Sequence, residues 1–270
     1  VNVTPEIKTN PETATLDIFI TIDKVRRNFV ERIEFVDNAR TMDRVIRREF
    51  EIVEGDAYNQ RKIDRSVRNV RNLGYFRDVK IATLQGSSPE QTITRVTVEE
   101  QSTGDFSIGL GYSSLDNSRV SLGINERNFL GTGRRASASI STSGTETNFN
   151  LGLTEPYLLG RDLTGSFDVF NTKTKSDETT INQKGLSFGV GFSAAHDVFH
   201  RLNYELSQSK TTVASTTATS ITGEEGETLL RSSLKYVLSK DTRDHRFDPN
   251  EGYYLEMNET LAGFGGDVKF

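Results

Sequence analysis

Cysteine is absent from the 270-residue sequence, and only three histidines occur. Without thiols, cysteine nucleophiles, disulfides and zinc–thiolate clusters are excluded. A thiol-free chain also crosses an oxidising compartment without mispairing, although many cytosolic proteins share the trait. Three histidines leave little room for a Ser-His-Asp arrangement, and none stands out. No run of 18 apolar residues is present, so no membrane-spanning helix is expected. A membrane is not excluded by this, because a barrel strand alternates lipid-facing and lumen-facing residues and averages to a polar sequence. A formal net charge of −5 argues against a general nucleic-acid binder, and no nucleic-acid partner is expected. The chain begins at Val1 and stops at Phe270 inside a strand-like run, so it reads as an excerpt of a longer protein.

What is present changes character near Ser102. Before it, charge is dense and the apolar spacing switches between strand and helix. Residues 1–8 and 16–23 read as strands, with Leu16, Ile18, Ile20 and Ile22 on one face and a turn at Asn10-Pro11. A second unit begins with a strand at 29–36. Thr41 is expected to cap a short helix whose Val45 and Ile46 point inward. Asn59 is expected to cap a longer helix with a buried stripe of Ile63, Val67, Val70 and Leu73, closed by Gly74. Strands at 76–84 and 92–100 follow, joined through Gly86-Ser87-Ser88-Pro89. The order is β-α-α-β-β, an α+β unit.

After Ser102, Gly, Ser, Thr and Asn dominate and nearly every apolar run alternates. Phe106, Ile108, Leu110 and Tyr112 alternate with Ser107, Gly109 and Gly111, and the pattern recurs to residue 262. Nine strands are expected, near 106–113, 118–127, 134–143, 147–155, 163–172, 184–194, 201–212, 228–239 and 253–262. These lengths suit tilted strands crossing a bilayer, and small residues on the second face leave a wet lumen where a soluble sandwich needs a packed core. Connections of two kinds alternate: compact ones at 128–133, 156–161 and 196–200, and looser ones including the long 214–227. The pattern matches short periplasmic turns and longer external loops, with Tyr112, Phe129, Tyr157 and Phe199 near strand ends as interfacial aromatics. Strand parity then puts 114–118, 143–147, 175–182 and 214–227 outside, and 128–134, 156–161, 197–200 and 243–252 in the periplasm.

Several motifs resemble enzyme parts. Gly131-Thr132-Gly133 is too short for a phosphate loop and reads as turn chemistry. His196 and His200 are four apart without an evident third ligand, so a metal is not expected. Asp241, Arg243, Asp244 and Asp248 fit a charged Pro/Gly turn better than a catalytic cluster, and His245 reads as solvated. No catalytic constellation and no cofactor emerge. Arg61, Arg65 and Arg68 share one side of the second helix, either a solvated face or a docking surface for an acidic partner.

Four motifs carry a family resemblance. Asn72-Leu73-Gly74-Tyr75-Phe76 with Asp78-Val79 resembles the end of the second helix of a POTRA domain and the start of its next strand. Asn128-Phe129-Leu130-Gly131-Thr132-Gly133-Arg134 and Glu155-Pro156-Tyr157-Leu158 resemble the first two periplasmic turns of bacterial outer-membrane assembly barrels. Asp241-Thr242-Arg243-Asp244 through Pro249-Asn250-Glu251-Gly252-Tyr253 resembles the turn shared by the assembly and translocation branches. The resemblance implies a hairpin of a preceding POTRA domain at 1–23, a membrane-proximal POTRA domain at 24–101 and the first half of a sixteen-strand antiparallel barrel at 102–270. It implies a periplasmic N-terminal part, an outer-membrane barrel, and insertion of unfolded outer-membrane protein clients without chemical turnover. It also implies assembly lipoproteins as partners, docked at Arg61, Arg65 and Arg68, and outer-membrane lipid around the barrel. The first strand, Phe106, Ser107, Ile108, Gly109, Leu110, Gly111 and Tyr112, becomes a lateral gate that templates client strands, although lumen-facing glycine is also ordinary in barrels. The alternative is a translocating pore of the same superfamily, of two-partner-secretion or translocation-assembly type. A plain porin lacks POTRA-like units.

Overall fold

A computed structural model describes residues 2–10, 15–23, 27–114, 117–213, 227–245 and 248–269. The chain divides into two compact units, 1–101 and 102–270.

In the first unit, β1 (Asn2–Asn10) and β2 (Thr15–Asp23) pair antiparallel, with Ile7 opposite Ile18. The following elements are β3 (Phe29–Val36), α1 (Asp43–Arg47), α2 (Gln60–Asn72), β4 (Phe76–Gln85) and β5 (Gln91–Glu100). The sheet order is β3-β5-β4, with β5 parallel to β3 and antiparallel to β4. The last strand thus enters the middle, and its Val96 and Val98 pack under Ile63 and Val70 of α2 within one core that also holds Val30, Ile33, Val45, Ile46 and Ile52.

The helix signals of α2 are realised. Asn59 Oδ1 accepts from the N–H of Arg61 at 3.0 Å and of Lys62 at 3.3 Å, satisfying two donors that the helix itself leaves free. Ile63 and Val70 are buried and Val67 and Leu73 partly so. Gly74 sits at φ 71°, the left-handed position that ends the helix. Ser66 is buried in that stripe too: its hydroxyl donates to Lys62 O at 2.8 Å and accepts from Glu51 N at 2.9 Å. The expectation for α1 is corrected. Met42 occupies the N-cap with no side-chain bond, and Thr41 is buried. The entry to α1 is held instead by Glu100, sixty residues on, which accepts from Arg40 N at 3.0 Å and Thr41 N at 2.7 Å. A long-range carboxylate does there what a local hydroxyl does elsewhere.

The second unit is a nine-stranded antiparallel meander: β6 (Gly104–Ser113), β7 (Asn117–Phe129), β8 (Arg134–Thr142), β9 (Glu146–Glu155), β10 (Thr164–Lys175), β11 (Thr179–Ala195), β12 (Val198–Val213), β13 (Thr228–Asp241) and β14 (Tyr254–Ala262). The register gives one face an apolar band: Phe106 lies opposite Ile124, Ile124 opposite Ala138, Leu151 opposite Val169, and Leu186 opposite Leu206. The other face carries Ser107, Gly123, Ser137, Gly152, Asp168, Ser187 and Glu205. A one-residue slip would exchange the two faces and carry polar residues onto the apolar band, so alternation itself specifies the register.

The expected asymmetry of connections is absent from the β8–β9 and β10–β11 hairpins. The connections at 143–145 and 176–178 are as tight as the compact set, and 156–163 is longer than either. Thr-rich arms such as Thr172, Thr174, Thr179 and Thr180 have high strand propensity and zip the ladder almost to its tip. Of the long 214–227 segment, residues 214–226 lie outside the described residues. Phe199 also differs: it lies on the inner face opposite Ser193, beside Arg201. The outer-face aromatics at that end are Phe192 and Tyr236, bridged by His200, which stacks on Phe192 at 5.0 Å and meets Tyr236 Oη at 2.7 Å.

Candidate functional site

Among the described residues, β6 pairs on one side only, with β7. Phe106, Ile108, Leu110 and Tyr112 are 64–81% exposed on its apolar face. Its other face holds Ser107, Gly109 and Gly111, and packing does not require either glycine. A Cβ on Gly111 would meet only Arg119 Cβ at 4.0 Å, and one on Gly109 only the rotatable Ser121 hydroxyl. Neither has positive φ. Gly185 in β11 is the contrast: its Cβ would meet Leu206 O at 2.6 Å and the Phe170 ring and Ser207 Cβ at 2.8 Å. Phe170 lies directly opposite Gly185, a ring filling the place of a missing side chain. The first strand is therefore loosely built where the middle of the sheet is tightly built.

The face of α2 is assembled as the spacing indicates. Arg61, Arg65 and Arg68 are all exposed. Arg65 is partly neutralised by Glu51 at 3.0 Å, a partner the helical pattern alone could not reveal. Arg61 and Arg68 form no ion pair among the described residues, so they carry the net positive charge of this face.

The charged turn after β13 is structural. Arg243 binds Asp241 through Nε and Nη2, both at 2.8 Å. Asp244 Oδ1 accepts from the N–H groups of His245, Asn250 and Glu251 at 2.9, 3.0 and 3.2 Å. The Glu251 N–H first, then those of Asn250 and His245, hold the Asp244 carboxyl below its ordinary value. Gly131 and Gly133 have φ 70° and 74°, and Asn128 Oδ1 accepts from Gly133 N at 2.8 Å, so this segment is a turn and not an anion cradle. His196 lines a cleft with Asp197 and Asp244, whereas His200 sits on the outer face, so the two are not brought together.

Sequence reading missed a polar cluster on the inner face. Glu205 pairs with Arg231 at 2.5 Å, and Asp168, Arg201 and Lys235 line the same cavity of about 300 Å³. Each is odd or even in step with its strand, but only the register reveals that β10, β12 and β13 bring them together.

The comparisons agree with this architecture. A family model described as Omp85 superfamily domain matches residues 128–270, just over half of the chain. One described as surface antigen variable number repeat, the POTRA model, matches residues 29–101. Outer membrane protein assembly factor BamA of Neorickettsia risticii is 28% identical over 274 residues, covering 100% of this chain and 37% of that protein. The protein of the same name from Neisseria meningitidis serogroup B is 30% identical over 203 residues, covering 73% and 26%. The chain thus spans roughly a quarter to two-fifths of these relatives. The solved structure of BamA from Haemophilus ducreyi lacking POTRA domains 1–3 superposes with a TM-score of 0.84 at 20% identity, over 98% of this chain and 54% of that one. CdiB from Acinetobacter baumannii shares the fold more loosely, at a TM-score of 0.55 and 11% identity over 96% and 50%. An α+β unit matching the POTRA model, joined to nine antiparallel strands that resemble part of a BamA barrel, gives the conclusion that this chain belongs to the Omp85 superfamily.

Proposed function

We propose that the protein assembles and inserts β-barrel proteins into the bacterial outer membrane, with β6 as the strand on which client strands are templated. The observation that carries the reading is the pair of glycines in β6, Gly109 and Gly111, that packing does not demand, under an outer face of Phe106, Ile108, Leu110 and Tyr112. Relatives named as assembly factors support assembly over passive translocation. Main-chain hydrogen bonding at an edge needs little side-chain specificity, so one strand serves many unfolded clients. The outer residues Phe106, Ile108, Leu110 and Tyr112 keep the strand in lipid while its edge is open. The work is positional: strands are paired and released, and no covalent bond changes. In this reading the barrel lies in the outer membrane, with the connections at 143–145 and 176–178 outside and residues 1–101 in the periplasm. Residues 1–23 are the closing hairpin of a preceding POTRA domain, 24–101 the membrane-proximal one. The exposed Arg61 and Arg68, with Arg65, dock an acidic surface of an assembly lipoprotein.

A disulfide from Ser107→Cys or Gly109→Cys to the last barrel strand of the full-length protein tests the gate. The tethered protein stays folded and loses client assembly until reduced. Normal assembly with the tether quantitatively closed would refute it.

A further inference from the structure

The outer face of β10, β11 and β12 changes chemistry abruptly near the 176–178 connection. Below, it is apolar: Phe167 and Val169, Leu186 and Phe188, Leu202 and Leu206. Above, it carries Lys173, Lys175, Lys184 and Lys210, all exposed. The register places them together. Lys173 lies opposite Asn182, Asn182 opposite Lys210, and Lys184 is two residues from Asn182 on the same face. Strands about 4.8 Å apart put the Lys173 and Lys210 backbones roughly 10 Å from each other, with Lys184 between and below. None of the four forms an ion pair among the described residues. The inner face of the same stretch, Thr172, Thr174, Ile181, Gln183, Ser209 and Thr211, has no charge. The neighbouring outer positions of β9, Thr147 and Phe149, have none either. The acids around this stretch are Asp177 and Glu178 in the connection, Glu146 on the inner face opposite Thr174 and paired with Arg119 at 3.3 Å, Glu227 beside the Thr228 that lies opposite Lys210, and Asp267, which is engaged by Leu230 N at 2.8 Å on the far side of β12.

Depth agrees across the three strands. About ten residues of a tilted strand cross the hydrocarbon. Counting from the opposite strand ends, Lys173 is the tenth residue of β10, Lys184 the twelfth of β11 from Ala195, and Lys210 the thirteenth of β12. All three therefore emerge at headgroup level on the lipid side, where solvated loop lysines would have no reason to share one face. We propose that this surface binds a phosphate-bearing lipid headgroup of the outer leaflet, specifically a bisphosphorylated glucosamine lipid of the lipid A type. Two cationic positions about 10 Å apart with a third between them suit a headgroup carrying two phosphates, and the apolar band beneath receives its acyl chains. The assignment rests on the proposed membrane reading with 176–178 outside.

The test uses full-length protein in detergent, with lipid A added and the bound lipid counted by native mass spectrometry. Wild type is expected to retain bisphosphorylated lipid A in preference to its dephosphorylated form and to phosphatidylglycerol. Each lysine removed should cost about fivefold, so Lys173→Gln/Lys184→Gln/Lys210→Gln together should lose well over tenfold. The Lys→Arg triple variant should retain binding, which shows that charge and not fold is responsible. Equal retention by the Gln variant, or equal binding of the dephosphorylated lipid or of phosphatidylglycerol, would overturn the proposal. Detergent binding does not depend on orientation, while impermeant labelling of Asp177→Cys on cells reads the topology. Client assembly by the same variants, expected to be unchanged in bulk, reads the proposed function separately.

Discussion

Replacing both Gly109 and Gly111 with Ala should close the proposed gate without touching any surface a client must recognise. Neither glycine has positive φ, and a Cβ at Gly111 meets Arg119 Cβ at an ordinary 4.0 Å, while at Gly109 it displaces only the Ser121 hydroxyl. The paired strand therefore accepts both methyl groups. The freed strand loses backbone freedom, which is worth about 0.4–1 kcal/mol for each Gly→Ala change. Together that is roughly 0.8–2 kcal/mol against opening, or an open population lowered about fourfold to thirtyfold at tenfold per 1.4 kcal/mol. The assay is hydrogen exchange of the 106–112 segment in the full-length protein in a bilayer, run beside the rate of client folding on proteoliposomes. Both rates should fall by the same factor. A useful control is Gly185→Ala, where the new Cβ meets Leu206 O at 2.6 Å and the Phe170 ring at 2.8 Å. That change should destabilise the barrel by about 1–3 kcal/mol without first slowing exchange at 106–112. Unchanged exchange in the double variant, or slower exchange with undiminished assembly, would refute the argument that strand looseness sets the gate.

Other outcomes follow from the same structure. Arg61→Glu/Arg68→Glu should abolish co-purification of an assembly lipoprotein while altering stability by less than about 0.5 kcal/mol, since both side chains are exposed; undiminished recovery rejects the docking face. Gly74→Ala forces a Cβ into φ 71° and should destabilise the end of α2 by about 1–2 kcal/mol, seen as faster exchange at 70–74. The folded-state pKa of Asp244 is depressed, so its contribution is present above the ordinary value of 3.8 and is lost as pH falls through the lower folded value. Protease resistance of the 242–253 turn should hold at neutral pH and fail in acid, and Asp244→Ala should fail at both.

What the sequence made legible was whatever period and turn chemistry encode locally. Asn59 and Gly74 bracket α2 because capping acts within one turn of chain. Strand alternation from Phe106 to Leu261 names the lipid face because its period is two. Illegible were contacts set by pairing across distance. Glu100 replaces Thr41 at the entry to α1, and Glu51 half-neutralises Arg65; neither spacing carries a period. Phe199 looked like a girdle residue because it stands near a strand end, but its parity against Ser193 turns it inward. The outer-face lysines are scattered over residues 173–210, and only the β10–β11–β12 register joins them.

The unequal strand lengths give the rim of the sheet a slope. β8 and β9 have 9 and 10 residues, β11 and β12 have 17 and 16. The register puts most of the extra length at one end: Glu146 of β9 lies level with Thr174 and Ile181, so β11 runs only two residues past it there, whereas Glu155 lies level with Gly165 and Val190, and β11 runs five residues, roughly 16 Å of strand, past it at the other end. The longer pair therefore stands out at the end of the sheet that holds the 130–133 and 196–197 turns, and a large molecule approaching along the strands from that end meets β11 and β12 before it meets the turn between β7 and β8.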